Sequence, residues 1–252
     1  MLRTSRLNLW LYIGSNQRLD SFSDDQINIR VDAKLITKVK ESKSLGVIID
    51  EYLSWSNHID TLSNNISSAI GTLKRTWPFI SEHTALQIYQ ALILPHFDYC
   101  SSVWGDCNLT FSNKLQKIQN RAAWAITRSS YDTSASFLLN RLNLDDLITR
   151  RQKLKAKLMF KTINVLTPEY LQNLLSTRST RYNLRDSDAK LELPMPRTNY
   201  GKRAFCYIRA LLWNKLPISL RKSDSLGYFK RETDQLYGSS RLGSHTAILF
   251  YS

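Results

Sequence analysis

Apolar residues recur at intervals of three and four along much of this chain, and at intervals of two only near its start. From Trp55 onward, Ile59, Leu62, Ile66, Ile70, Leu73 and Trp77 mark one face of an amphipathic helix that Ser54 or Ser56 can cap and Pro78 ends. The nearly all-apolar stretch from Thr84 to Leu94 predicts a second helix, which Pro95 must kink or stop because it lacks the N–H the helix needs. Helical spacing returns over residues 113–127 and again over 144–165. Beyond Thr167-Pro168 the pattern loosens, Pro194-Met195-Pro196 marks a loop, and a last aromatic helix is expected over residues 202–213.

The first fifty residues read differently. Leu9 to Ile13 is a short apolar run closed by Gly14-Ser15-Asn16, and Ile27, Ile29 and Val31 alternate with Asn28 and Arg30 as in a strand with one wet face. Leu35 to Val39 follows, and then Ser44 to Asp50, SLGVIID, apolar on both faces like a central strand. Together these predict a small antiparallel β-meander, too little sheet to stand alone. The expected fold class is therefore α+β and mostly helical: the meander, a helical bundle, and a looser C-terminal helical extension. The boundaries fall at residues 1–50, 51–166 and 167–252.

Charge sharpens this picture. The chain of 252 residues has a formal net charge of +14, which favours polyanionic partners, nucleic acid above all. The excess is uneven, at −3 over residues 51–112 but +8 over 113–165. On a helical wheel of the third helix, Phe111, Leu115, Ile118, Ala122 and Ile126 form an apolar stripe, while Lys114, Lys117, Arg121, Trp124 and Arg128 form a second stripe beside it. Such a ridge can neutralise successive phosphates and offer an indole for stacking; a solvated face with Trp124 tucked under a neighbour is the plainer reading. The fourth helix carries Arg150, Arg151, Lys153, Lys155, Lys157 and Lys161 with no acid between them, beside Leu147, Leu154, Leu158 and Val165. A simply solvated helix mixes both signs for i, i+4 pairing, so a polyanion partner is favoured here over a plain solvated face, with a membrane surface or a nuclear address as other uses of a basic amphipathic helix.

Other motifs carry less. Phe22-Ser23-Asp24-Asp25 spells the aromatic, small residue and paired aspartates with which many polymerases hold metal ions, but the polar SNQRLDS before it supplies no buried strand, so a solvated loop is expected. His96, Cys100 and Cys107 lack a second close pair for zinc, and Phe97, Tyr99 and Trp104 around them suggest a packed core. Three cysteines are too few and too odd in number for a disulfide framework, which points to an intracellular compartment, nuclear or cytoplasmic. No run is long enough for a transmembrane helix, and no membrane partner is expected.

Several strings resemble one family: LGVIIDEYLSWSNHI, LILPHFDYCSSVWG, KLQKIQNRAA, YDTSA, YNLRDS, LPMPRTNY, LWNKLP and FKR. In this order they are similar to the closing part of reverse transcriptases from non-LTR retrotransposons, the jockey-like group in particular, over about residues 13–231. The resemblance implies that residues 1–50 end a polymerase palm, that 51–166 form a helical thumb gripping a template and primer duplex, and that 167–252 are an extension. It also implies that the catalytic aspartates, with their Mg2+, stand upstream of the IGS stretch, so that Asp24 and Asp25 are not the catalytic pair and the chain needs no cofactor of its own. Two departures stand out: SRLNLWLY replaces the usual Lys-Thr pair before IGS, and Trp124 stands where an arginine is usual. The implied parent function is RNA-templated DNA synthesis, and this chain reads as a truncated remnant that binds nucleic acid without catalysis. Its expected partners are the template and primer duplex and the missing palm and fingers of the same element protein. The alternative is a non-catalytic helical interaction or scaffold protein, or a relic without function.

Overall fold

A carboxylate from the strand before it organises the first turn of the first long helix. In the computed structural model, which describes residues 9–21, 29–31, 33–178, 189–197, 201 and 204–239, Asp50 accepts the backbone N–H groups of Tyr52, Ser54 and Trp55 at 2.9–3.0 Å. The chain then enters helix α2, Ser56–Arg75, through Trp55 at φ 66°. The capping task expected of Ser54 or Ser56 thus falls mainly to Asp50, with Ser54 Oγ accepting the N–H of Ser56 at 3.3 Å.

Upstream lie β1 (Leu9–Trp10), α1 (Asn16–Asp20), β2 (Arg30–Val31), β3 (Lys34–Leu35), β4 (Thr37–Lys38), β5 (Glu41–Ser44) and β6 (Val47–Asp50). They pair two by two: β2 with β3 and β5 with β6 are antiparallel, whereas β1 lies parallel to β4 with Leu9 opposite Thr37. SLGVIID is a turn followed by a strand. Leu45 and Gly46 sit at φ 45° and 83°, the pair of positive angles that a tight two-residue hairpin turn demands. The Tyr99 hydroxyl donates to Leu45 O at 2.7 Å, and its ring lies 3.4 Å from where a Cβ on Gly46 would stand. Phe22 to Asp25 lie outside the described residues.

Downstream the chain is helical, in keeping with a mostly helical α+β fold. After a 3-10 turn at Trp77–Phe79 come α3 (Glu82–Ile88), a π-helical turn (Tyr89–Ile93) and α4 (Leu94–Asp98). That wider turn is how the helix passes Pro95 without ending there. Then come α5 (Ser101–Trp104), α6 (Leu109–Thr127), α7 (Ala135–Arg141), α8 (Leu147–Ile163), α9 (Glu169–Gln172), α10 (Phe205–Lys215), α11 (Ile218–Arg221) and α12 (Leu226–Ser239). Asn108 and Asp146 cap α6 and α8 by accepting the N–H groups of Phe111 and Thr149, each at 2.9 Å.

The described residues fall into two units, one from Met1–Cys100 and Cys107–Leu144, the other from Ser101–Asp106 and Asp145–Ser252. Helix α8 groups with the C-terminal segment because its apolar face packs there: Ala156, Met159 and Phe160 share a core with Leu191, Ala210, Trp213, Leu216 and Phe229. The rings of Phe160 and Phe229 meet at 4.6 Å. In the first unit, Ile59, Ile66 and Ile70 of α2 and Leu115, Ala122 and Ile126 of α6 are fully or almost fully buried.

Candidate nucleic-acid interface

Helix α6 buries Leu115, Ile118, Ala122 and Ile126, which turns its basic stripe outward. The five residues of that stripe then part company. Lys114 donates to Asp60 at 2.6 Å, and Arg128, in a left-handed conformation at the helix end, donates to the carbonyls of Trp77 and Ile80. Trp124 is half-buried, its indole N–H held by Thr133 O at 2.9 Å. Lys117 and Arg121 are exposed and make no hydrogen bond or ion pair with the described residues. One turn apart, they share one wall of an open groove of about 660 Å³ between α2 and α6. Thr110 and Asn113 continue that wall, and Ser63, Asn64 and Ser67 of α2 line the other. The Ser63 hydroxyl is buried and has no hydrogen-bond partner among the described residues.

Tyr131, in the loop after α6, lies within electrostatic reach of Arg121, which lines the groove. Its ring meets Trp124 edge-on at 5.1 Å, and the Lys74 ammonium donates to its hydroxyl at 2.8 Å. That hydrogen bond, the charge of Lys74 and that of Arg121 hold the phenol below its ordinary pKa. The groove thus carries Lys117 and Arg121, and Lys114 paired with Asp60, on one wall and neutral donors and acceptors on the other, with the Tyr131 ring within electrostatic reach of Arg121. Such a groove can hold a phosphodiester backbone.

Helix α8 uses its cations in another way. Arg151, Lys153 and Lys155 are buried. The Arg151 guanidinium lies 5.1 Å from the centre of the Trp104 ring, Lys153 pairs with Asp145 at 2.9 Å and Asp234 at 3.3 Å, and Lys155 pairs with Asp106. Arg209 of α10, fully buried, reaches the other oxygen of Asp106 at 3.3 Å and also donates to Ser102 O. Burial, offset by Asp106 and reinforced by the neighbouring Arg209 and Arg151, pushes the Lys155 ammonium below its ordinary pKa. Lys157 lies 3.9 Å from Asp234, Arg150 is half-buried, and Lys161 is exposed. Gly105 belongs to this cluster by necessity: a Cβ there would stand 2.2 Å from Ser101 O and 3.2 Å from Arg151 Cδ.

The structure therefore brings Lys117 and Arg121 together in a groove, sets Lys153 and Lys155 against carboxylates and sets Arg151 near the Trp104 ring. The α2 wall escaped the sequence reading, which followed that helix by its apolar face; Ser63, Asn64 and Ser67 within one turn were the available signal. Tyr131 was visible only as part of YDTSA. Among the described residues no three His, Cys, Asp or Glu side chains stand together as a metal site, and no helix is long and apolar enough to cross a membrane. Cys107 is buried and Cys100 half-buried, neither in a disulfide among the described residues, while His96 is exposed.

Comparison with known proteins adds a relationship. A stretch of 138 residues, 53% of this chain, is 25% identical to a probable RNA-directed DNA polymerase from transposon X-element of Drosophila melanogaster. Over 96 residues, 36% of the chain, the identity is 27% to the RNA-directed DNA polymerase from mobile element jockey of Drosophila funebris. The chain is similar in part to mobile-element reverse transcriptases. Those matches span only 14% and 10% of the two polymerases. No family profile matches the chain, and no solved structure does.

Proposed function

We propose that this chain corresponds to the template- and primer-gripping part of a non-LTR retrotransposon RNA-directed DNA polymerase, and that the residues described above bind nucleic acid without themselves joining nucleotides. The observation that carries the proposal is the α2–α6 groove, where Lys117 and Arg121 are exposed and pair with no carboxylate among the described residues. A cation left unpaired on a surface is cheap in water, but two on one concave wall opposite Ser67 and Asn64 form a place for a polyanion. Contacts of this kind position a backbone and read no bases, so binding is independent of sequence. In the other unit Lys161 is exposed and Arg150 and Lys157 are half-buried, while the buried part of α8 holds that unit together. The partial similarity to polymerases of mobile elements supports the same reading. Mg2+ and the strand-joining chemistry belong to the upstream palm that the resemblance implies, and no step of that chemistry is assigned to the residues described above.

The test is the salt dependence of binding. Affinity for a short duplex, measured by fluorescence anisotropy from low to physiological salt, falls steeply as counterions are released. A flat response, or aggregation with no binding in parallel light scattering, overturns the proposal in favour of an interaction or scaffold protein.

A further inference from the structure

Tyr131 is a large aromatic residue held still and yet left 62% exposed. Three contacts fix it. Trp124 meets it edge-on, Lys74 holds its hydroxyl, and the bond from the Trp124 indole to Thr133 O ties down the loop on which it stands. A surface tyrosine normally spends rotamer entropy on whatever it binds; this one is already ordered. It also stands among cations, with Lys74 Nζ 5.4 Å from the ring centre and Arg121, the last cation of the groove wall, near enough to act on the phenol. A flat ring flanked by positive charge, within electrostatic reach of a cation that lines the groove, has the two components of a single-strand site: a track for the backbone and a face for a base.

We infer that Tyr131 is a stacking platform for one unpaired nucleobase whose backbone continues into the α2–α6 groove past Arg121 and Lys117. The inference rests on the backbone-binding reading and adds a substrate class to it, a single-stranded segment or the unpaired extension of a duplex. A base paired inside a duplex keeps both faces against its neighbours and has none to offer, so blunt duplex engages the cations alone. Stacking involves no counterion, so the extra affinity it brings is nearly independent of salt, unlike the phosphate contacts.

The experiment compares two probes at several salt concentrations: a short blunt duplex, and the same duplex with a single-stranded extension. For the unaltered protein the extended probe binds more tightly by about fivefold or more, the magnitude expected of one stacked base. Tyr131→Ala and Tyr131→Leu lose that increment while keeping the affinity for blunt duplex; Tyr131→Leu preserves an apolar contact to Trp124, so a loss there is not a folding defect. Tyr131→Phe retains the increment, because the ring and not the hydroxyl carries it. Equal binding of the two probes by the unaltered protein, or a full increment in Tyr131→Leu, overturns the inference and leaves backbone binding standing. Absence of binding to either probe by a folded protein removes the backbone reading, and this inference with it.

Discussion

Helices α6 and α8 look alike in the sequence and differ in the fold. Both are about five turns long, both are rich in lysine and arginine, and neither contains an acidic residue. In α6 the cations divide into Lys114 and Arg128, committed to the protein, and Lys117 and Arg121, which are not. In α8 the middle of the basic run is turned inward and neutralised from elsewhere, by Asp145, Asp234 and Asp106. Positive charge counts toward a partner only where the fold has not already used it. A buried ammonium that loses its carboxylate is a liability, whereas an exposed one is an opportunity.

The comparison can be broken most severely at Asp106. Asp106→Ala leaves Lys155 and Arg209 without their carboxylate and is expected to cost about 3 kcal/mol in urea denaturation, with the salt slope of nucleic-acid binding unchanged. An unaltered denaturation midpoint would show that the α8 cluster holds nothing together. Next in size, Lys117→Gln with Arg121→Gln lowers duplex affinity by about tenfold or more at low salt and reduces the salt slope by about two, with stability unchanged within about 0.5 kcal/mol. Lys114→Gln, whose ammonium already faces Asp60 at 2.6 Å, shifts the slope less than Lys117→Gln alone; equal shifts would erase the distinction between committed and open cations.

Smaller effects sharpen the picture of the groove. Ser63→Ala removes a buried hydroxyl that has no partner among the described residues, and the protein without ligand gains about 1 kcal/mol, read as a rise in melting temperature. A loss of stability would mean that the hydroxyl is bonded after all. His58, buried on α2 in the same unit, has its pKa lowered from 6.5 by burial. The unfolded chain takes up that proton before the folded one does. Stability is therefore undiminished above pH 6.5 and declines as the pH falls through the range between that value and the lower folded pKa. His58→Gln flattens this part of the profile; a profile identical to that of the unaltered protein would assign the decline to other groups.

Much of the fold was legible because long helices carry their own signal. The apolar period of α2 runs without a break from Ile59 to Leu73, and every one of those positions is buried. The hairpin was less legible: SLGVIID reads as one apolar run, and only a positive φ at Leu45, 85% exposed, reveals the turn inside it. Helices α7 and α12 went unseen because short or weakly patterned segments become helical through their packing, as Leu138, Leu139 and Phe229 do. The candidate site was half legible. Counting charges located α6 and α8, but the inference from unmixed charge on α8 assumed that pairing is local. Asp106 lies 49 residues before Lys155, and no helical wheel places it there.

The hexapeptide Ser101–Asp106 has a consequence for how the protein comes into being. It leaves the ribosome ahead of every other part of the unit to which it belongs, and α6 and α7 follow it before the first residue of α8 is made. Trp104, fully buried in the finished fold, and Asp106 must therefore wait unsheltered while their neighbours in sequence assemble. The second unit closes last, around a piece of chain synthesised early, and a fragment beginning at Asp145 is born without the residues that complete it.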